Sequence, residues 1–290
     1  MKEINVAVIK AFAQGASGGN PAGVVLDAGS LNKDQRQAIA TNLGVSETAF
    51  LDKDETGRYR LQFFTPNQQI ENCGHATVTA MGLLRQRGLV KENALTVSIA
   101  NRDVAIQFEG DHVIMEQRAP QFEALAPATF AAVLASLGLG ASDLLPEFPA
   151  QVVSTGNRFV LLGLREVNRL AGLIPNFAAV TTLSRELDAI GYYVFCLQEG
   201  ADLATTRMFA PSYGIEEESA TGMAAGPLAA LLTKQLKDVP PAFSVEQGRF
   251  MKTPSLSRLY VRVLRDTNGD MQNIRVGGQI HAGSSLNLPL

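Results

Sequence analysis

The feature that most constrains this chain is a likeness between its two halves. Phe64-Thr65-Pro66 precedes Phe209-Ala210-Pro211 by 145 residues, and 145 is half of the 290-residue chain. The same offset sets Thr48-Ala49-Phe50-Leu51 on Tyr193-Val194-Phe195-Cys196, Cys73 on Glu218, and Leu83 on Leu228 inside the apolar run from Met223 to Leu232. At a shifted offset of 137, Gly19-Asn20-Pro21-Ala22-Gly23 resembles Gly156-Asn157-Arg158-Phe159-Val160. Identity is low, but the elements keep their order. Two long copies do not make a solenoid, which needs more and shorter repeats. The expectation is two domains of similar build.

Composition narrows the class. With 46% hydrophobic and 18% charged residues, the chain can bury a core and is not of the disordered type. Its net charge is −3, and its Lys and Arg residues form no basic stripe, which argues against a nucleic-acid partner. Two cysteines, Cys73 and Cys196, do not make a disulfide framework. Met1 to Val6 alternates as a strand does and is not a secretory signal. No apolar run approaches a membrane span. A cytoplasmic location without membrane association is the default expectation.

Periodicity predicts strands at Val6–Ile9, Val24–Leu26, Ala49–Leu51, Tyr59–Phe64, Leu95–Ile99, Asp103–Phe108 and His112–Glu116. Turns are expected at Asp54–Gly57, Asn101-Arg102 and Gly110-Asp111, and a Gly/Ser/Ala loop over residues 13–23. Asn32 can cap a helix from Lys33 to Asn42 that Gly44 ends. The run after Cys73 carries Ala76, Val78, Ala80, Met81, Leu83 and Leu84, apolar residues covering most of a helix circumference. Such a helix is buried on nearly all sides, so a sheet must wrap it. Pro120 to Pro127 reads as the passage between halves, followed by a helix over Phe130–Leu139. The second half restarts with strands at Gln151–Gly163, a helix at Phe177–Ile190, strands near Tyr193 and Arg207, and a helix over Ala220–Leu236. Pro227 sits early in that last helix, where a proline costs least if it falls in the first turn. Strands at Arg258–Leu264 and Ile274–Ile280 close the chain.

The chemistry gathers at Asn72-Cys73-Gly74-His75-Ala76-Thr77, the mouth of the first buried helix. Backbone N–H groups there have no partners within the helix and attract an anion, a carboxylate above all. The helix end is expected to lower the imidazole pKa of His75 and keep it neutral for proton transfer. It would likewise depress the Cys73 thiol, although a buried small residue is the commoner role for such a cysteine. Glu47 stands between the Gly44 stop and a buried strand. Withdrawal from water would raise its pKa toward neutrality, although an exposed loop glutamate is the commoner case. Glu216-Glu217-Glu218 reads as a mostly solvated acidic run favourable to the second helix dipole. Glu218 is the exception, because it takes the place of Cys73 in the repeat. Ser219, Thr221 and Gly222 offer hydroxyls and bare backbone for anion contact. His75, His112 and His281 stand far apart, with no zinc-type spacing, so no metal is expected. No Gly-rich dinucleotide or phosphate loop follows a strand, so no cofactor is expected either.

Gly19-Asn20-Pro21-Ala22-Gly23-Val24, Ser46-Glu47-Thr48, Phe64-Thr65-Pro66, Cys73-Gly74-His75-Ala76-Thr77 and Ala220-Thr221-Gly222 through Gly226-Pro227-Leu228 together resemble the phenazine-biosynthesis PhzF-like family. Their order and spacing carry the resemblance, which runs from about Val8 to the final strands. The family is similar in fold to diaminopimelate epimerase. The resemblance therefore implies an α+β chain of two pseudo-repeated domains, each a mostly antiparallel sheet wrapped around a central buried helix. The expected domains are residues 1–118 with the last strand, about 279–290, and residues 119–278, the active site lying in the cleft between them. The family's characterised activity implies a cofactor-free isomerase, similar to one acting on dihydro-3-hydroxyanthranilate, and relatives imply a homodimer.

On that resemblance Glu47 is the proton-transferring acid/base, His75 assists it, and Glu218 stands where the isomerase has an Asp. Asn20, Cys73, Gly74, Ser219, Ala220, Thr221 and Gly222 would bind a small carboxylate substrate, with Gly74 and the Ala220–Gly222 backbone on the carboxylate. Glu218 is longer than that Asp, and Glu71-Asn72-Cys73 departs from the isomerase's apolar approach to Gly-His. A thiol-dependent amino-acid epimerase using Cys73, and a non-catalytic binding or scaffold protein, are the alternatives.

Overall fold

The computed structural model of the protein describes residues 3–14 and 18–289. Residues 1–2 of the expected first strand and 15–17 of the expected Gly/Ser/Ala loop lie outside the described residues. The fold is sheet-rich α+β, and it divides into two compact units, Met1–Glu116 with Gly277–Leu290, and Gln117–Val276.

The first unit opens with β1 (Glu3–Ala11) and β2 (Asn20–Val25), an antiparallel pair. α1 (Lys33–Leu43) follows. Asn32 accepts from the Gln35 N–H at 2.9 Å, and the Gln35 side chain accepts from the Asn32 N–H at 3.0 Å, a capping box. A cap of this kind contributes on the order of 1 kcal/mol. Gly44, at φ 69°, ends the helix in the left-handed conformation that glycine adopts without cost.

β3 (Thr48–Lys53) runs parallel to β2, and β4 (Tyr59–Phe64) returns antiparallel beside it. Thr48 to Asp52 are all buried. A strand buried at every position must be covered on both faces. Phe50 packs into a cluster with Val6, Val25, Ile39 and Phe64 under α1. The other cover is α2 (Gly74–Gln86), which packs on β1, β2 and β3 after the short β5 (Gln69–Ile70). Every residue of α2 from His75 to Leu84 is buried. The hydroxyls of this helix bond within it, Thr77 to the Cys73 carbonyl at 2.7 Å and Thr79 to that of Ala76 at 2.9 Å. β6 (Ala94–Ile99), β7 (Arg102–Glu109) and β8 (His112–Gln117) form an antiparallel meander. Its first turn falls at Ala100 and Asn101, both at positive φ, one residue before the expected position.

In the second unit, the expected passage Pro120–Pro127 contains a strand, β9 (Gln121–Ala124), and α3 (Pro127–Ser136) begins earlier than expected, with the proline at its first position. Proline is favoured there because its missing N–H would have had no helical partner. β10 (Gln151–Ser154) pairs with β9 and with β11 (Arg158–Leu164). α4 (Val167–Ala171) and α5 (Phe177–Glu186) lead to β12 (Gly191–Leu197), parallel to β11. β13 (Asp202–Ala210) and β14 (Ile215–Glu218) precede α6 (Gly222–Gln235). β15 (Ala242–Gln247), which periodicity did not reveal, and β16 (Ser257–Arg265) follow as an antiparallel pair.

β12 is buried from Gly191 to Cys196 for the same reason as β3. Tyr192, Val194 and Cys196 enter a cluster with Val133, Val180 and Leu183 of α3 and α5, while Tyr193 points to the opposite side of the strand. α6 packs on β10, β11 and β16 and is buried from Ala224 to Leu232. A Cβ at Gly226 would collide with the Gln117 side chain, so glycine there lets Gln117 lie on the helix and donate to the Gly222 carbonyl at 2.9 Å. Pro227 falls beyond the first turn of α6, so its ring removes one helical N–H donor and the least-cost position does not apply. The final strand, β17 (Met271–Pro289), pairs antiparallel with β1 through its last residues. Among the described residues no helix is long and apolar enough to cross a membrane.

Candidate functional site

Four of the expected site residues meet in the first unit. Glu47 lies in the turn between the Gly44 stop and β3, its carbonyl held by the Gly23 N–H at 2.9 Å. Cys73 is the N-cap of α2, with no side-chain cap bond, and His75 lies in the first turn of that helix. Asn20 opens β2. All four are buried, at 4–6% exposure. His75 is the centre of the group. Its Nε2 lies 3.1 Å from Glu47 Oε2, an ion-pair approach that is off hydrogen-bond alignment. Its Nδ1 lies 3.3 Å from Asn20 Nδ2 and 3.4 Å from Cys73 Sγ.

This geometry links the ring to Asn20. With its proton on Nε2, the neutral ring accepts the Asn20 amide N–H at Nδ1. A charged ring carries a proton at Nδ1 too, and Asn20 must then turn its oxygen toward it.

The electrostatics reverse what the sequence implied. Burial pushes the Glu47 carboxyl up, but the His75 contact and charge and a hydrogen bond from Ser46 pull it down, and the balance falls below the ordinary 4.5. Burial pushes the His75 imidazolium down, but Cys73 and Glu47 raise it, and the balance lies well above 6.5. Burial holds the Cys73 thiol above its ordinary value against the pull of His75. A protonated thiol carries no charge, so the Glu47 carboxylate is what sustains the imidazolium. The raised Glu47 and lowered His75 are therefore corrected, because pairing within the cluster outweighs burial for Glu47 and the helix end for His75. For Cys73 the reading as a buried small residue holds, since burial outweighs the helix end.

Oxygen, nitrogen and sulfur donors of Glu47, His75 and Cys73 lie within 4.8 Å of one another. The expectation of no metal rested on histidine spacing, which does not register a mixed cluster of this kind. The two ring nitrogens face different neighbours, Nε2 toward Glu47 and Nδ1 toward Cys73. An ion on one nitrogen would have the third donor beside the other, so one side chain would have to rotate to complete the set.

Gly74, the first residue of α2, also lies in the first unit, while Glu218, Ser219, Ala220, Thr221 and Gly222 gather in the second. Glu217 is not a solvated member of an acidic run. It takes both a 2.7 Å and a 2.8 Å bond from the buried Arg207, whose Nη1 also donates to the Leu170, Ala171 and Leu173 carbonyls. Glu218 ends β14, half-buried, and accepts from the Thr221 hydroxyl. Ser219, Ala220 and Thr221 are buried between β14 and α6. The Thr221 N–H, expected as an open anion donor, instead donates to Gln247 Oε1 at 3.0 Å. Gln247, at the end of β15 and fully buried, also donates to the Glu218 carbonyl at 2.7 Å. Sequence reasoning missed it. A lone glutamine at a strand end carries no motif, and only an assignment of β15 could have drawn attention to it.

Comparison with known proteins places this arrangement. The chain is 37% identical over 230 residues to the uncharacterized isomerase YddE of Salmonella typhimurium, covering 77% of each chain. It is 30% identical over 262 residues to the trans-2,3-dihydro-3-hydroxyanthranilate isomerase of Pseudomonas aeruginosa, covering 88% of each. A crystal structure of a Bacillus anthracis PhzF-family phenazine biosynthesis protein matches all of both chains with a TM-score of 0.90 at 29% identity. A hydroxyproline epimerase from Agrobacterium vitis shares the fold alone, with a TM-score of 0.59 at 12% identity over 99% of this chain and 93% of that one. Fold and relatives together define an isomerase on a sheet-rich epimerase-like fold. The chain belongs to the phenazine biosynthesis-like (PhzC-PhzF) family, whose model matches residues 9–282.

Proposed function

We propose that the protein moves a proton on a small carboxylate substrate by acid/base catalysis at Glu47, with no added cofactor. The observation that carries this reading is the buried Glu47–His75 pair at 3.1 Å, off hydrogen-bond alignment. A base must be ionised before it can accept a proton, and His75 holds Glu47 ionised although burial opposes that charge. In the proposed step Glu47 takes a proton from a carbon next to an activating group, and its electron pair shifts into the substrate π system. The carboxyl of Glu47 then returns the proton to another carbon, completing an isomerisation without net gain or loss. As the proton arrives, the carboxylate loses its charge, and His75 loses the partner that sustains the imidazolium. Proton transfer at Glu47 is thereby coupled to the ring, and through Nδ1 to Asn20.

The substrate class follows from the characterised relative named above, and trans-2,3-dihydro-3-hydroxyanthranilate is the first compound to test. Gly74, at the α2 end, would receive the carboxylate. We also read the two units as copies of one ancestral unit, since α2 and α6 are each buried and each begin with glycine. The deciding experiment is proton exchange in heavy water followed by NMR, with trans-2,3-dihydro-3-hydroxyanthranilate, trans-4-hydroxy-L-proline and diaminopimelate as substrates. Exchange or isomerisation that disappears in Glu47→Gln supports the reading. Exchange untouched by that change removes Glu47 from the mechanism, and binding without exchange would favour a non-catalytic role.

A second reading has one observation in its favour, the 3.4 Å approach of Cys73 Sγ to His75 Nδ1. A thiol that gives its proton to His75 could invert a carbon centre, as an epimerase does. The raised thiol pKa opposes it. Inversion abolished by Cys73→Ala would establish it.

A further inference from the structure

The hydrogen-bond donors and acceptors around Gln247 leave only one consistent assignment. The backbone N–H of Thr221 can only donate, and it lies 3.0 Å from one amide atom of Gln247, so that atom is the oxygen. The Tyr193 hydroxyl lies 3.0 Å from the same oxygen and 3.0 Å from the Thr206 hydroxyl, which also has the Glu246 carbonyl 2.8 Å away as an acceptor for its single proton. Burial, foremost, keeps the Tyr193 phenol protonated, its pKa raised well above the ordinary 10. With the oxygen fixed, the amide nitrogen must face the Glu218 carbonyl at 2.7 Å and the Thr221 hydroxyl at 3.1 Å. Both of its protons are thereby used. The Thr221 oxygen accepts one of them, so its own single proton is left for Glu218 Oε2, the remaining neighbour in the chain. That carboxyl oxygen must accept. The bonds run one way from Gln247 through Thr221 to Glu218.

We infer that Gln247 is a positioning residue that fixes Thr221 as a donor to Glu218 Oε2, so that this oxygen is held as an acceptor and the Glu218 side chain is kept in one orientation for the reaction. This rests on the place in the substrate site that the family resemblance gives Glu218. Buried networks in which every member is satisfied specify one geometry, and loss of one member is felt by the rest.

The test has two parts. Amide hydrogen exchange by NMR reads the positioning without any substrate. In Gln247→Leu the Thr221 N–H should exchange at least tenfold faster, while the amides of Leu228 to Leu232 stay protected. Unchanged protection at Thr221 overturns the inference. The second part is turnover of trans-2,3-dihydro-3-hydroxyanthranilate by wild type, Glu218→Gln, Gln247→Leu, Gln247→Glu and the Glu218→Gln/Gln247→Leu double variant. Each of the first two variants should lose on the order of 10- to 100-fold in kcat/KM. The double variant should lose no more than the worse single one, since both act through one carboxylate.

Gln247→Glu keeps an acceptor but can donate to Thr221 only when protonated. Its deficit relative to wild type should shrink as pH falls, a recovery that a merely structural defect would not show. Additive losses, or a deficit independent of pH, overturn the inference. A Glu218→Gln enzyme with full turnover overturns it together with the role of Glu218. Failure of the compound to react with any form counts against the proposed substrate, and hydrogen exchange then decides the role of Gln247 alone.

Discussion

α2 and α6 each begin with a glycine after a residue that makes no side-chain cap bond, yet the two ends gather different neighbours. At the end of α2, Cys73 makes no cap bond, and the groups that gather are titratable: a thiol, an imidazole and a carboxylate. At the end of α6, Thr221 also makes no cap bond to its own helix, but its N–H and hydroxyl are taken up by Gln247 and Glu218. The first end keeps groups whose protons can move. The second uses up its donors to hold one carboxylate still. The lesson is that similar backbone sites diverge through neighbours far away in the chain, Glu47 for one and Gln247 for the other.

The comparison breaks most sharply at Glu47. Glu47→Gln keeps the shape of the side chain and removes its charge and basicity. We expect turnover to fall by about 10³-fold, within the usual range for loss of a positioned acid/base. At about 1.4 kcal/mol per factor of ten, that is roughly 4 kcal/mol of transition-state stabilisation. Steady-state kinetics on the reacting panel compound checks it. A fall below tenfold would mean that the α2 end is not where protons move.

Glu217 and Glu218 sharpen the other side. Adjacent along β14, they point to opposite faces and serve different partners. Glu217→Gln leaves the buried Arg207 without its charge partner. Breaking such a pair costs about 3 kcal/mol, and denaturant unfolding should show a loss of that order with little change in kcat for the folded enzyme. Glu218→Gln should do the reverse, with stability nearly unchanged and turnover lower by about 10- to 100-fold. If both variants lose stability alike, the acidic run is a structural unit and Glu218 has no separate role.

Much of this arrangement was legible in the sequence because it is local. Asn32 and Gly44 bracket α1 as capping chemistry requires, and the nearly all-apolar run after His75 marks α2 as buried. What escaped was set by tertiary partners. β14 and β15 are short and poorly patterned, and they are held in place by β13 and β16. The pKa directions at Glu47 and His75 escape a reading of the sequence, because the helix end and burial are visible there while the pairing of Glu47 with His75 is not. Gln247 was missed for the same reason, since its four bonds go to residues of three other segments.

That pairing gives the α2 end a pH signature that the α6 end should lack. The folded pKa of Glu47 is depressed, so its contribution to stability is present above about pH 4.5 and is lost as pH falls through the folded value. The folded pKa of His75 is raised, so its contribution is full below about pH 6.5 and is lost as pH rises through the folded value. The two overlap between pH 4.5 and 6.5. Thermal unfolding of wild type should exceed that of Glu47→Gln by about 2–4 °C in this window, with the gap narrowing on both sides. A gap that is flat with pH would mean that the two groups do not pair as ions.

The smallest effect is expected at Cys73, and it separates the two catalytic readings. Burial raises the thiol pKa, so at neutral pH the group is a small protonated side chain beside His75 and not a nucleophile. Cys73→Ala removes one heavy atom from a 5%-exposed site and leaves both Glu47 and the α2 backbone in place. Turnover should change by less than about threefold, because the step assigned to Glu47 neither breaks nor forms a bond to sulfur. In the same preparation, iodoacetamide should modify native Cys73 more slowly than a free cysteine at pH 8, since alkylation requires both access and thiolate. A loss of 100-fold or more in Cys73→Ala, together with rapid alkylation that substrate prevents, would transfer the proton-moving role from the carboxylate to the thiol. The α2 end would then carry the reactive thiol of an epimerase.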